Sequence, residues 1–159
     1  METDLGRRDM LALFSGMAAL AATGAPAMAQ GTAPINTTAD LSRSRVIKYA
    51  SVKPIDLPNG GTQRRIMSGT LPTGEFIEMH ETMLPAGKMP HPPHKHNNSE
   101  WLFIQTGSLE YIDNGGATVP AGPGDIVFSA TYQTHGLRNV GTTPATYMVF
   151  SVSKQDVPL

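Results

Sequence analysis

Residues 91–100 read His91-Pro92-Pro93-His94-Lys95-His96-Asn97-Asn98-Ser99-Glu100, and they gather three of the chain's five histidines beside a carboxylate. On an extended strand, side chains two apart point to the same face, so His94 and His96 project together. Glu100 follows four residues later, within reach of the same point through a small bend. His135 stands far along the chain, on a later run that a closed sheet can place opposite. Three imidazoles and one carboxylate form a mixed nitrogen and oxygen set that suits Mn, Fe, Co, Ni, Cu or Zn.

On both sides of this stretch the chain breaks into short β-prone runs separated by turn residues. Expected strands are Arg45–Val52, Arg65–Leu71 and Phe76–Leu84, the last closed by Pro85-Ala86-Gly87. Trp101–Thr106 and Leu109–Asp113 are expected to pair as a hairpin across the two-residue turn Gly107-Ser108. Ala117–Val119, Asp125–Ala130, His135–Val140 and Ala145–Lys154 complete the series. No stretch after residue 30 keeps helical spacing for three turns. Many short strands at regular spacing predict an all-β fold, a single small β-barrel of which the jelly roll is one form.

The spacing of the glycines and ligands sharpens this expectation. Gly87, His94, His96, Glu100 and Gly107 are followed by a second group, Gly124, His135 and Asn139. In both groups the chain resembles the cupin family, over nearly all of residues 60–154. The first motif has six residues rather than five between Gly87 and His94. In the second, Ala130 stands where proline is usual and Tyr132 where glycine is usual, so the loop before His135 takes its own shape. None of these departures touches a ligand position. The resemblance implies one divalent transition metal held by His94, His96, Glu100 and His135. It also implies a range of activities, since metal-binding cupins include dioxygenases, decarboxylases, isomerases, lyases and hydrolases, and fold alone does not choose among them.

The other histidines have plainer expectations. A strand histidine is most often hydrogen-bonded or exposed, and that is the first reading of His80 and His91. His80 could instead line the barrel mouth as an acid–base group, and His91, beside two prolines, falls at the rim. Leu102, Ile104, Phe128, Tyr147 and Val149 are the candidate pocket residues, which predicts a largely apolar pocket. Trp101 and Phe103 are expected on the outer side.

The first 29 residues read as a removable address. Arg7-Arg8 precedes an apolar run, Leu11 to Ala22, and Ala27-Met28-Ala29 gives a small–x–small cleavage pattern before Gln30. The layout is that of an export signal of the twin-arginine type, which predicts a periplasmic mature protein. The apolar run is shorter than the roughly 20 residues a spanning helix needs. Residues 30–45, rich in Thr, Ser, Ala and Pro, read as a flexible lead-in, and 46–159 as the barrel domain.

Charge and composition narrow the partners. The chain has 12 basic and 13 acidic residues, and the address holds two of the former and three of the latter, so the remainder balances at zero. That balance gives no electrostatic reason for a nucleic-acid or membrane partner. The absence of cysteine excludes disulfides, thiol nucleophiles and Cys-ligated metal. The expected partner is a small organic molecule, and the expected activity is that of a dioxygenase-type oxidoreductase, with Glu100 as ligand and base. A lyase, isomerase or hydrolase using the metal as Lewis acid, with His80 or His91 carrying the proton, is the alternative, and a non-catalytic binding protein a third. An open edge strand and an apolar outer face predict a homodimer.

Overall fold

The computed structural model describes residues 41–154. The export address, residues 1–29, and most of the lead-in lie outside them. Nine strands follow in chain order: β1 (Ile55–Asp56), β2 (Thr62–Thr70), β3 (Glu75–Leu84), β4 (Ser99–Thr106), β5 (Leu109–Ile112), β6 (Thr118–Ala121), β7 (Ile126–Ser129), β8 (Gly136–Asn139) and β9 (Ala145–Lys154). They form a six-stranded sheet in the order β1-β2-β3-β9-β4-β7 and a three-stranded sheet in the order β6-β5-β8. Among the described residues every strand pair is antiparallel. This is the predicted all-β jelly roll.

Alternation decides what goes inside. On β9 the odd positions Ala145, Tyr147 and Val149 are buried, and they meet Leu84 of β3 and Leu102 and Ile104 of β4. Leu109, Ala121 and Leu137 come from the smaller sheet to complete the same core. Apolar burial from two facing sheets is the main stabilising contribution in such a sandwich.

Two local expectations are corrected. Trp101–Thr106 and Leu109–Asp113 do not pair: β4 lies between β9 and β7, and β5 between β6 and β8. Gly107 carries the chain from one sheet to the other. Its φ of 90° is left-handed, and a Cβ there would lie 2.5 Å from the Cβ of Ala145. Only glycine permits both the turn and that approach. Arg45–Val52 is not a strand either, because Ile55–Asp56 already occupies the β2 edge. Tyr49–Ser51 form a short 3-10 turn instead. This segment is pinned by side chains: Arg64 Nη1 donates to the Val52 carbonyl at 2.5 Å and its guanidinium lies 4.8 Å over the Tyr49 ring. The Tyr49 hydroxyl in turn donates to Glu81.

Past β3, the chain runs beside β8 without a continuous ladder. Gly87 N–H donates to the Asn139 carbonyl and Asn139 N–H to the Lys88 carbonyl, at 3.0 and 2.9 Å. Contact resumes at His94 and His135, which exchange both backbone hydrogen bonds at 2.9 and 2.8 Å. Between these points stand Pro90, Pro92 and Pro93, which have no N–H to give. Asn139 anchors the far end. It is fully buried, its Nδ2 donates to the Leu84 and Thr143 carbonyls, and its Oδ1 accepts from Gly141 N–H.

Candidate metal centre

An isolated antiparallel bridge pairs His94 with His135 where the histidines converge. His94, His96 and His135 each offer a ring nitrogen, and these nitrogens all lie within 4.8 Å of one another. Glu100, at the start of β4, completes the group. Its Oε1 lies 3.4 Å from His96 Nε2 and its Oε2 3.7 Å from His135 Nε2. The structure thus brings together the four residues singled out in the sequence.

Hydrogen bonds orient the rings. His96 Nδ1 lies 3.0 Å from the Asn98 carbonyl, and His135 Nδ1 lies 2.9 Å from the Gln133 carbonyl. A carbonyl only accepts, so each Nδ1 carries the proton and each Nε2 presents a lone pair inward. Both Nε2 atoms are buried without a hydrogen-bond partner, as is His94 Nδ1. Buried polar nitrogens left unpaired in this way are costly unless something else binds them. The donor set, its burial and its outward hydrogen bonds fit a divalent transition metal.

Electrostatics agree. Burial works against a charged Glu100, but the His135 and His96 rings beside it outweigh burial and hold the carboxyl well below the usual range. Burial drives His94 down to about 4, helped by the neighbouring histidines, so its ring is neutral at ordinary pH. His135 is raised: burial opposes its charge, and the neighbouring Glu100 carboxylate with the Gln133 carbonyl prevails.

The loop before His135 pays for its departure from the family pattern in backbone strain. Tyr132, where glycine is usual, has φ 59°, and among the described residues it is the one non-glycine with positive φ. Such a residue costs on the order of 1 kcal/mol. Its N–H donates to the His96 carbonyl at 2.8 Å, tying the two ligand segments together. A second tie runs between the Ser99 and Thr131 hydroxyls at 2.8 Å.

The remaining candidates sit elsewhere. His91 packs its ring edge-on to His94, with centroids 4.0 Å apart, and burial lowers its pKa. His80 is not in the cluster. It lies on β3, two strands from Glu100, with its Nδ1 3.4 Å from Glu78 Oε1. Phe128 is corrected: it is 53% exposed and packs on Trp101 outside the barrel.

The predicted apolar lining also needs correction. Cross-strand register places Ser68, Glu78, Ser151, Glu100 and Ser129 in one row across β2, β3, β9, β4 and β7. The next row inward is Arg65, His80, Val149, Leu102 and Val127. Since Val149 and Leu102 belong to the core, both rows face the interior. The interior is therefore apolar toward β4 and β7 but polar toward β2 and β3. The alternation of Glu78, His80 and Thr82 with Ile77 and Met79 was the available signal. By habit such a pattern is assigned polar side out.

Comparison with known proteins agrees with the fold. The family described as Cupin domain matches residues 79–151. A predicted oxalate decarboxylase from Thermotoga maritima is 21% identical, covers 69% of this chain and 99% of its own, and has a TM-score of 0.57. An RmlC-like cupin from Shewanella frigidimarina is 13% identical over 73% of this chain and 96% of its own, with a TM-score of 0.60. The polyketide cyclase RemF from Streptomyces resistomycificus is 17% identical over 73% and 88%, with a TM-score of 0.56. No curated protein matches the sequence. The domain match over residues 79–151 and these neighbours agree on a cupin-type fold.

Proposed function

We propose that this cupin domain holds one divalent transition metal on His94, His96, Glu100 and His135 and uses it as an enzyme on a small organic molecule, in an exported protein. The observation that carries the proposal is the pair of buried, unpartnered Nε2 atoms of His96 and His135, fixed by the carbonyls behind them. Export rests on Arg7-Arg8 and Ala27-Met28-Ala29 in the sequence.

A bound metal with open positions supplies Lewis-acid polarisation of a substrate oxygen or, if redox-active, a route to O₂. The chain's own part is to orient and to move protons. Glu100, held ionised by two imidazoles, is suited to ligation and is a poor proton acceptor. His80 has a carboxylate partner in Glu78 and lies away from the ligands, which suits it to exchange a proton with substrate.

A dioxygenase-type reaction is the first reading. The Glu78–His80 pair favours a second, non-oxidative one, in which proton transfer is the chemistry; the likeness to a predicted decarboxylase and a cyclase is in keeping with it. Metal-loaded protein incubated in a closed oxygen cell with pentane-2,4-dione, catechol or gluconate separates them. Consumption of O₂ in step with substrate supports the first, and substrate loss without O₂ uptake supports the second. No turnover of any of the three would leave a binding protein and contradict the enzymatic reading.

A further inference from the structure

The inner wall facing the metal ligands has a polar composition that ligation does not require. Glu78 Oε1 approaches His80 Nδ1 on β3 to 3.4 Å, and their side chains keep 30% and 17% of their exposure. Glu100 and His96 keep 20% and 15%. Both groups thus touch solvent at the same end of the barrel. Arg65 is the register partner of His80 and donates from Nε to Gln63 Oε1 at 3.1 Å, which fixes its stem on the same wall. Ser151 of β9 stands in register between Glu78 and Glu100. His80 Nδ1 is buried and lacks a hydrogen bond, although Glu78 approaches it. A polar wall inside a small barrel is destabilising relative to an apolar one unless something pairs with it.

We infer that Arg65, Glu78, His80 and Ser151 form a subsite for the end of the substrate remote from the metal, and that the substrate is a small hydroxylated acid. The inference rests on the metal-centre reading, since the metal would take the acid's oxygens. The subsite offers donors and acceptors side by side: a guanidinium, an imidazole, a carboxylate and a hydroxyl. Alternating donors and acceptors match hydroxyl groups, each of which both gives and accepts a hydrogen bond. The Glu78 and Glu100 backbones are two strand spacings apart, about 9–10 Å, and side chains reach in from both. Ser151 stands between them, and Val149 and Leu102 form the adjacent row along the strands.

Two carboxylic acids of equal chain length test this, gluconate and hexanoate, which differ in their hydroxyls. Calorimetric titration of metal-loaded protein should show gluconate binding at least about tenfold tighter, the worth of one hydrogen bond to a charged group. In Glu78→Gln/His80→Leu the preference should fall below about twofold, with metal content unchanged. A metal-loaded wild type that binds the two acids alike would overturn the subsite, as would a double variant that keeps the preference. The single variant Ser151→Ala, a smaller change, should lower the preference in the same direction and covers the case of a misfolded double variant. Metal content is measured on every sample: protein that takes up no metal contradicts the metal centre, whereas metal-loaded protein without the preference contradicts the subsite alone.

Discussion

His94 shows how a single environment prepares a candidate ligand. Burial and the neighbouring imidazoles take its pKa from 6.5 to about 4, so no proton blocks the nitrogen at neutral pH. The same shift has a consequence for stability. In the unfolded chain the ring takes a proton below 6.5, and in the fold it does not until about 4. A depressed histidine contributes stability that is full above the unfolded value and is lost as pH falls toward the folded one. His91, also lowered by burial, adds in the same direction. His135 opposes them, because its raised value contributes below 6.5 and is lost as pH rises through the folded value. With His94 the largest of these shifts, the melting temperature of metal-free protein should fall between pH 6.5 and 4. His94→Gln should flatten that fall, and an unchanged slope would remove His94 as its source.

At the scale of elements, the sequence carried the strands and ligands better than the connections between them. β3 and β9 were legible nearly to their ends, because long alternation with β-branched and aromatic residues has a single reading. That the four candidate ligands come together was legible because their spacing needs only a strand and a return. The link at Gly107-Ser108 was misread as a hairpin, since a tight turn looks the same whether it closes a ladder or crosses between sheets. What separates the two is the approach to Ala145, a contact made 38 residues later. Arg45–Val52 failed for a related reason: its β propensity was real, but Ile55–Asp56 had the edge, and propensity yields to pairing. The polar wall was hidden by a convention. Alternation tells which residues share a face, never which face is inside.

For the whole molecule, two faces of the large sheet divide the work. The inner face holds the candidate site, and the outer face carries Trp101 with Phe128 and Phe150, at ring distances of 5.1 and 6.2 Å. Phe103, Ile126 and Phe128 are 42%, 58% and 53% exposed, and β7 is the sheet's edge. Clustered apolar exposure beside an unpaired edge is what a second copy would cover. We propose a homodimer through this face: light scattering at micromolar concentration should give twice the chain mass, and Phe128→Glu should halve it. A wild-type mass of one chain would contradict the dimer.

Whether Glu100 of β4 and the loop histidines His94, His96 and His135 hold one metal is tested most directly by elemental analysis. Purified protein, loaded with a divalent transition metal and freed of excess, should carry one ion per chain. His96→Ala and His135→Ala should each remain folded, with the same β-sheet circular dichroism, and lose most of the metal. Wild-type stoichiometry in both variants, or a metal-free wild type after loading, would contradict the account.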